Sequence, residues 1–194
     1  MSLWESTIEF HGHACCVLAV GYRAAVLARE ILAPLQEEES LQAIVETVDC
    51  STDALQVVLR CTMGSRRLRV NEKGKYVFTV AKPGKAVRLA LRPQVIGRSG
   101  PEFIELMENV ANGMASPGEK HHFFYRQQSL IQCIMEAPDE DLFDWREVSF
   151  VPQEPGFVFT SSICGGCGEE VFDGFAVARQ GRLFCPDCAG EAQA

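Results

Sequence analysis

Apolar positions crowd together in residues 16–32, "CVLAVGYRAAVLAREIL", and recur nearly all round a helix, with Arg23 and Arg29 on its polar side. The run predicts a mostly buried helix that Pro34 stops soon afterwards. The next run, 41–48, "LQAIVETV", has the β-branched content of a strand, and 51–59, "STDALQVVL", returns to helical spacing behind Ser51, a good N-cap, which leaves Cys50 in the tight turn between them. "RRLRVN", "KYVFTVA" and "KAVRLALR" are short, alternating or β-branched, and separated by turns such as Lys-Gly and Pro-Gly, so they read as an antiparallel meander. Two more helices carry start signals, Ser99-x-x-Glu102 and Ser116-x-x-Glu119, the second with Pro117 at the first helical position. Beyond "APDEDLFDW" the pattern turns irregular through Pro152 and Pro155, which places a linker at roughly 144–158 and divides the chain into a main domain, 1–150, and a small unit, 158–194.

Composition agrees with that division: 194 residues, 47% of them apolar, suffice for one sizeable core and a small appendage. No apolar run reaches the ~18 residues of a membrane span without a charge, and "MSLWESTIEF" lacks the order of a signal peptide, so a cytoplasmic protein is expected. In that reducing compartment nine cysteines read as metal ligands or reactive groups rather than disulfides. The net charge of −8 argues against broad affinity for nucleic acid. Residues 60–98 run the other way, with eleven Lys or Arg against one acid, Glu72. Their basic faces either lie against acidic segments such as 136–147, "EAPDEDLFDWRE", or form a rim that attracts an anionic small molecule.

The strongest local signal is C-terminal. Cys164, Cys167, Cys185 and Cys188 form C-x2-C-x17-C-x2-C, the spacing of four thiolates closing tetrahedrally on one structural zinc, with a short hairpin between the two pairs. So small a unit has too little core of its own and draws folding free energy from the metal. It carries five acids and two arginines from Ile163 onward, where a DNA-reading finger is basic, so it reads as a structural or protein-contacting ribbon.

Residues 10–16, "FHGHACC", hold two of the four histidines and two of the nine cysteines. If the segment is extended, His11, His13 and Cys15 share a face; if a helix starts early, His11 and Cys15 still coincide at i, i+4. Either geometry sets an imidazole beside Cys15, near a helix N-terminus that lowers a thiol pKa. Cys50 occupies the matching place before the next helix, so two helix starts can converge on one pocket. Cys61 lies eleven residues further on, too far along an unbroken helix to share an ion with Cys50, and joins only if the helix ends early or a second copy of the chain supplies it. The plainer account makes Cys15 and Cys16 small buried hydrophobes and the histidines helix caps. His121 and His122 read as surface or core positions.

"FHGHACCVLAVGYRAA", "VDCSTDALQVVLRCTMG", "GKYVFTV" and the four-cysteine tail together resemble the FmdE family, proteins named for a component of formylmethanofuran dehydrogenase. The family's Phe-His-Gly-His-x-Cys-Pro-Gly falls on Phe10, His11, Gly12, His13 and Cys15, with Cys16 and Val17 where Pro and Gly are usual. The second block falls on Cys50, Asp53, Ala54, Gln56, Cys61, Thr62 and Gly64, with Ser65 in place of a common Lys. The resemblance implies an α+β core, often dimeric, with a metal pocket lined by the first block and the second-block cysteine, and a C-terminal zinc ribbon. It also implies association with a molybdenum or tungsten oxidoreductase that interconverts carbon dioxide and formylmethanofuran.

The resulting expectation is an α+β protein, with helices packed on a mostly antiparallel sheet, in which a second metal, zinc, is held by His13, Cys15 and Cys50 with His11 nearby. Cys15, Cys50 and His11 are the catalytic candidates, and Cys61 a further one. The function expected is an accessory or enzymatic role in one-carbon metabolism, as a homodimer or beside oxidoreductase subunits. The rival is a non-catalytic zinc-ribbon adaptor or metal sensor that binds a protein partner.

Overall fold

A computed structural model describes residues 1–34, 41–97, 100–150 and 159–190. The chain separates into two compact units, Met1–Gln153 and Glu154–Ala194.

In the first unit a helix absent from the sequence expectation comes first. In α1 (Leu3–His11) the Ser2 hydroxyl accepts from the Glu5 amide and the Glu5 carboxylate accepts from the Ser2 amide, a capping box, and Gly12 at φ 94° closes the helix. α2 (Cys16–Leu32) follows, with Cys15 as its N-cap. Its two arginines lie over neighbouring helix ends rather than on an outward polar side. Arg23 donates to the carbonyls of Ile134, Met135 and Ala137 and to the Asp139 carboxylate at 2.5–2.8 Å, and Arg29 donates to the Val58 carbonyl at 3.0 Å. Both satisfy carbonyls that a helix C-terminus leaves unpaired.

The strand β1 (Gln42–Val45) leads into α3 (Cys50–Leu59). Asp49, not Ser51, caps α3: its carboxylate accepts from the Ser51 amide at 2.8 Å and the Ser51 hydroxyl at 2.5 Å, so Cys50 opens the helix instead of lying in the turn. Then come β2 (Leu68–Val70), β3 (Val77–Lys82), β4 (Lys85–Leu91), α4 (Gln94–Gly97), α5 (Pro101–Ala111), α6 (Pro117–Glu136), α7 (Asp139–Leu142) and β5 (Phe143–Glu147).

The sheet order is β2-β1-β3-β4-β5. The expected meander holds for the β3–β4 hairpin, where Phe78 faces Leu89 and Val80 faces Val87. It fails for β2, which pairs in parallel with β1, Ala43 opposite Leu68, because α3 forms a crossover between them and returns the chain in the same direction. The expected linker also begins too early: Phe143–Glu147 pairs with β4, and residues 151–158 lie outside the described part. The Ser116 capping box with Pro117 is formed, while α5 is capped by Gly100 without a side-chain bond and Ser99 lies outside the described residues.

Helices on this mostly antiparallel sheet make an α+β core in which Leu18, Leu32, Leu55 and Leu59 are at most 1% exposed, each contributing roughly 1.5–3 kcal/mol by burial. α2 and α3 touch backbone to backbone: a Cβ at Gly21 would lie 2.3 Å from the Ser51 carbonyl oxygen. The basic segment pairs across the sheet edge with acids of the 136–147 segment, Lys85 with Glu147 at 3.3 Å and Arg92 with Asp144 at 2.7 Å, while Lys73 and Arg88 approach Glu46.

The second unit comprises the hairpins β6 (Ser161–Ile163) with β7 (Glu170–Phe172), and β8 (Val177–Arg179) with β9 (Arg182–Phe184). No helix among the described residues is long and apolar enough to cross a membrane.

Candidate metal centres

The contact of Gly21 with Ser51 places the start of α3 against the first turns of α2, and α1 lies over both. Trp4 of α1 meets Tyr22 of α2 edge to face at 5.2 Å, and Trp4, Ile8, Cys50, Leu18 and Ala54 pack around Cys15. Two cysteines at helix starts and the last residue of α1 are thereby brought together: one donor atom from each of His11, Cys15 and Cys50 lies within 4.8 Å of the others.

Each donor is held by its surroundings. Cys15 Sγ accepts the Leu18 amide at 3.3 Å. The Cys15 thiol is lowered from its ordinary value, first by a hydrogen bond from Cys50 and then by backbone amides, against burial. The same bond, followed by burial, pushes the Cys50 thiol far up, so the metal-free pair retains one proton between its sulfurs. His11 Nδ1 donates to Asp53 Oδ2 at 2.8 Å, and Nε2 is buried with no partner among the described residues. A carboxylate on one ring nitrogen leaves the lone pair of the other available, the tautomer a histidine presents to a metal. An orphaned imidazole nitrogen beside two thiols fits zinc or another borderline-soft ion and leaves a fourth position open.

The remaining residues fall elsewhere. His13, expected as a ligand, is exposed and outside the group, its ring tilted against His11 at 4.5 Å between centroids, because Gly12 reverses the chain between them. Cys61 is corrected more sharply. α3 does end early, with Arg60 at φ 54°, but the chain turns Cys61 into the core, where its thiol donates to the Leu41 carbonyl at 3.1 Å and burial pushes its pKa up to about 11. Cys16 is buried and raised by desolvation. His121 and His122 are exposed. Unforeseen was Tyr76, whose phenol is raised to about 12, first by burial and then by the negative charge of Asp49, Cys16, Cys50 and Cys15; as an aromatic residue inside a strand run it had no sequence signal.

In the second unit the sulfurs of Cys164, Cys167, Cys185 and Cys188 lie within 4.8 Å of one another. Cys164 Sγ accepts the amides of Cys185 at 3.2 Å and Gly166 at 3.4 Å, bonds that hold its thiol down at about 6. A Cβ at Gly166 would sit 2.8 Å from Cys188 Sγ, so glycine permits the close approach. Four thiolates with no fifth donor make a closed structural zinc site.

Fold and donors together define a metal-binding α+β protein with a four-cysteine ribbon. The family model described as FmdE, molybdenum formylmethanofuran dehydrogenase operon, matches residues 10–144, and the chain belongs to that family. It is 30% identical over 193 residues to a probable S-adenosyl-L-methionine-binding protein of Archaeoglobus fulgidus; the match covers 94% of this chain and 51% of the relative, so the chain spans about half that protein's length. The crystal structure of an FmdE-like protein of tungsten formylmethanofuran dehydrogenase, from Syntrophus aciditrophicus, shares the fold, with a TM-score of 0.63 at 22% identity, covering 98% of this chain and 94% of that one.

Proposed function

We propose that the chain is a metal-dependent protein of one-carbon metabolism, acting on formyl or carbon dioxide-level carbon alone or beside an oxidoreductase, with zinc at His11, Cys15 and Cys50 and a second, structural zinc in the ribbon. The observation that carries the reading is the buried, unpartnered Nε2 of a histidine whose other nitrogen is fixed by Asp53, next to two thiols at helix starts. Bound there, the metal supplies Lewis acidity at an open position, for a carbonyl or a water molecule. The protein supplies the rest: Asp53 orients the imidazole, the amides of α2 and α3 favour thiolate, and the single proton shared by Cys15 and Cys50 leaves on loading. The family supports a homodimer and oxidoreductase partners, and the basic 60–98 segment an anionic ligand, although its paired Lys85 and Arg92 weaken that part.

Quantitative metal analysis tests the reading. Wild-type protein should load two ions per chain, and His11→Ala or Cys50→Ser should load one, with the main unit still folded. One ion per chain in fully loaded wild type, lost on mutating the ribbon cysteines, would overturn it. A second reading, a non-catalytic adaptor, is favoured by the exposed apolar side chains of Ile163, Phe172 and Phe175 beside the ribbon's cysteines. Under it, mutating those three abolishes partner binding while emptying the His11 pocket does not.

A further inference from the structure

We infer that Gln56 is a positioning residue of the His11 pocket, and that the turn following α3 is thereby part of the metal site's support. The inference rests on the metal reading above. Asp53 has two oxygens: Oδ2 receives His11 Nδ1 at 2.8 Å, and Oδ1 receives Gln56 Nε2 at 3.3 Å, one turn further along α3. The other end of the same amide, Oε1, accepts the Met63 backbone N–H at 3.2 Å. Backbone amide, Gln56, Asp53 and His11 thus form one line of hydrogen bonds that ends at the unpartnered Nε2.

The far end of this line is itself fixed. Thr62 and Ser65 exchange bonds in both directions, the Thr62 amide to Ser65 Oγ at 3.2 Å and the Ser65 amide to Thr62 Oγ1 at 3.1 Å, and the Arg66 amide reaches the Met63 carbonyl at 2.9 Å. A turn closed by its own bonds presents the Met63 N–H from a defined place. Arg60, left-handed at φ 54°, is what brings the turn back alongside α3. A carboxylate with one oxygen engaged can rotate about its Cβ–Cγ bond, whereas one with both engaged holds the imidazole plane, and hence the direction of Nε2. Outer partners of metal-bound histidines typically change affinity by about 10–100-fold.

The test uses the full chain loaded with cobalt(II), whose visible bands report ligand geometry and whose thiolate-to-metal absorption separates sites with different numbers of sulfurs. Gln56→Leu should weaken pocket binding by about 10–100-fold, measured by chelator competition, and alter the visible bands of the pocket ion, with the ribbon ion and the unfolding temperature of metal-free protein unchanged. Gln56→Glu keeps an acceptor for Met63 but places a second acceptor against Asp53, and should weaken binding as well. In a His11→Ala background, Gln56→Leu should add nothing, because its effect passes through the imidazole. Wild-type affinity and spectrum in Gln56→Leu, or an equal loss in the presence and absence of His11, overturns the inference. If His11→Ala itself retains the pocket ion, it is the metal reading that has failed.

Discussion

His11 and His13 stand two positions apart, and Gly12 decides between them. Its φ of 94° ends α1, so His11 belongs to a helix lying over α3 while His13 comes after the reversal and is exposed. The two-residue period of an extended chain puts both on one face, which is why sequence alone ranked His13 too high. The information was nevertheless present: Ser2-x-x-Glu5 is the same capping pattern that marks α6. Cys15 and Cys50 were legible because a thiol at a helix start is a local feature. Cys61 was not, since its burial depends on the left-handed Arg60 and on the distant Leu41 carbonyl. Its environment gives a pH prediction. The folded protein holds the Cys61 proton up to about 11 against an ordinary thiol value of 9.0, so the folded state binds more protons across that window. This contribution is complete below 9.0 and is lost as pH rises towards about 11, amounting to roughly 2–3 kcal/mol at most. Urea unfolding across that range should show the loss in wild type and a smaller one in Cys61→Ala; equal slopes would show that burial of this thiol is not the cause.

Among the elements, the packing of α2 on α3 does most to make the pocket, because Cys15 and Cys50 are fixed to the starts of those two helices. The approach at Gly21 sets their separation. Gly21→Ala cannot be accommodated without moving Ser51 and with it Cys50. Overpacking of this kind costs about 1–3 kcal/mol, and the variant should also hold the pocket metal less tightly while its ribbon ion is unaffected; calorimetry and metal competition on one preparation check both. A variant destabilised to that extent with unchanged metal affinity would dissociate packing from ligand geometry. Periodicity located α2, α3, α6 and the β3–β4 hairpin, all defined by contacts within the element or with its next neighbour. It misplaced β2, since parallel pairing with β1 depends on where α3 packs, and it assigned β5 to a linker, since an edge strand with four of five residues exposed has little apolar signal.

At the scale of the whole molecule, the two units differ in what holds them together. Met1–Gln153 has a broad apolar core, whereas the buried residues described in Glu154–Ala194 are Cys164 and Ala189. Metal must therefore carry the second unit. Cys185→Ser should remove amide protection from the ribbon and leave the first unit's cooperative unfolding in place; a ribbon still protected after losing its metal would contradict this. The pocket ligands and their supports, by contrast, are confined to residues 11–63, upstream of β3, β4 and β5. Chains are synthesised in that order, at about 5–20 residues per second. Cys15 and Cys50 consequently leave the ribosome several seconds before the strands against which α2 will pack. During that interval the two thiols are open to whichever metal or oxidant reaches them first, so the ion in the finished pocket reflects the supply available to the nascent chain as well as the preference of the folded site.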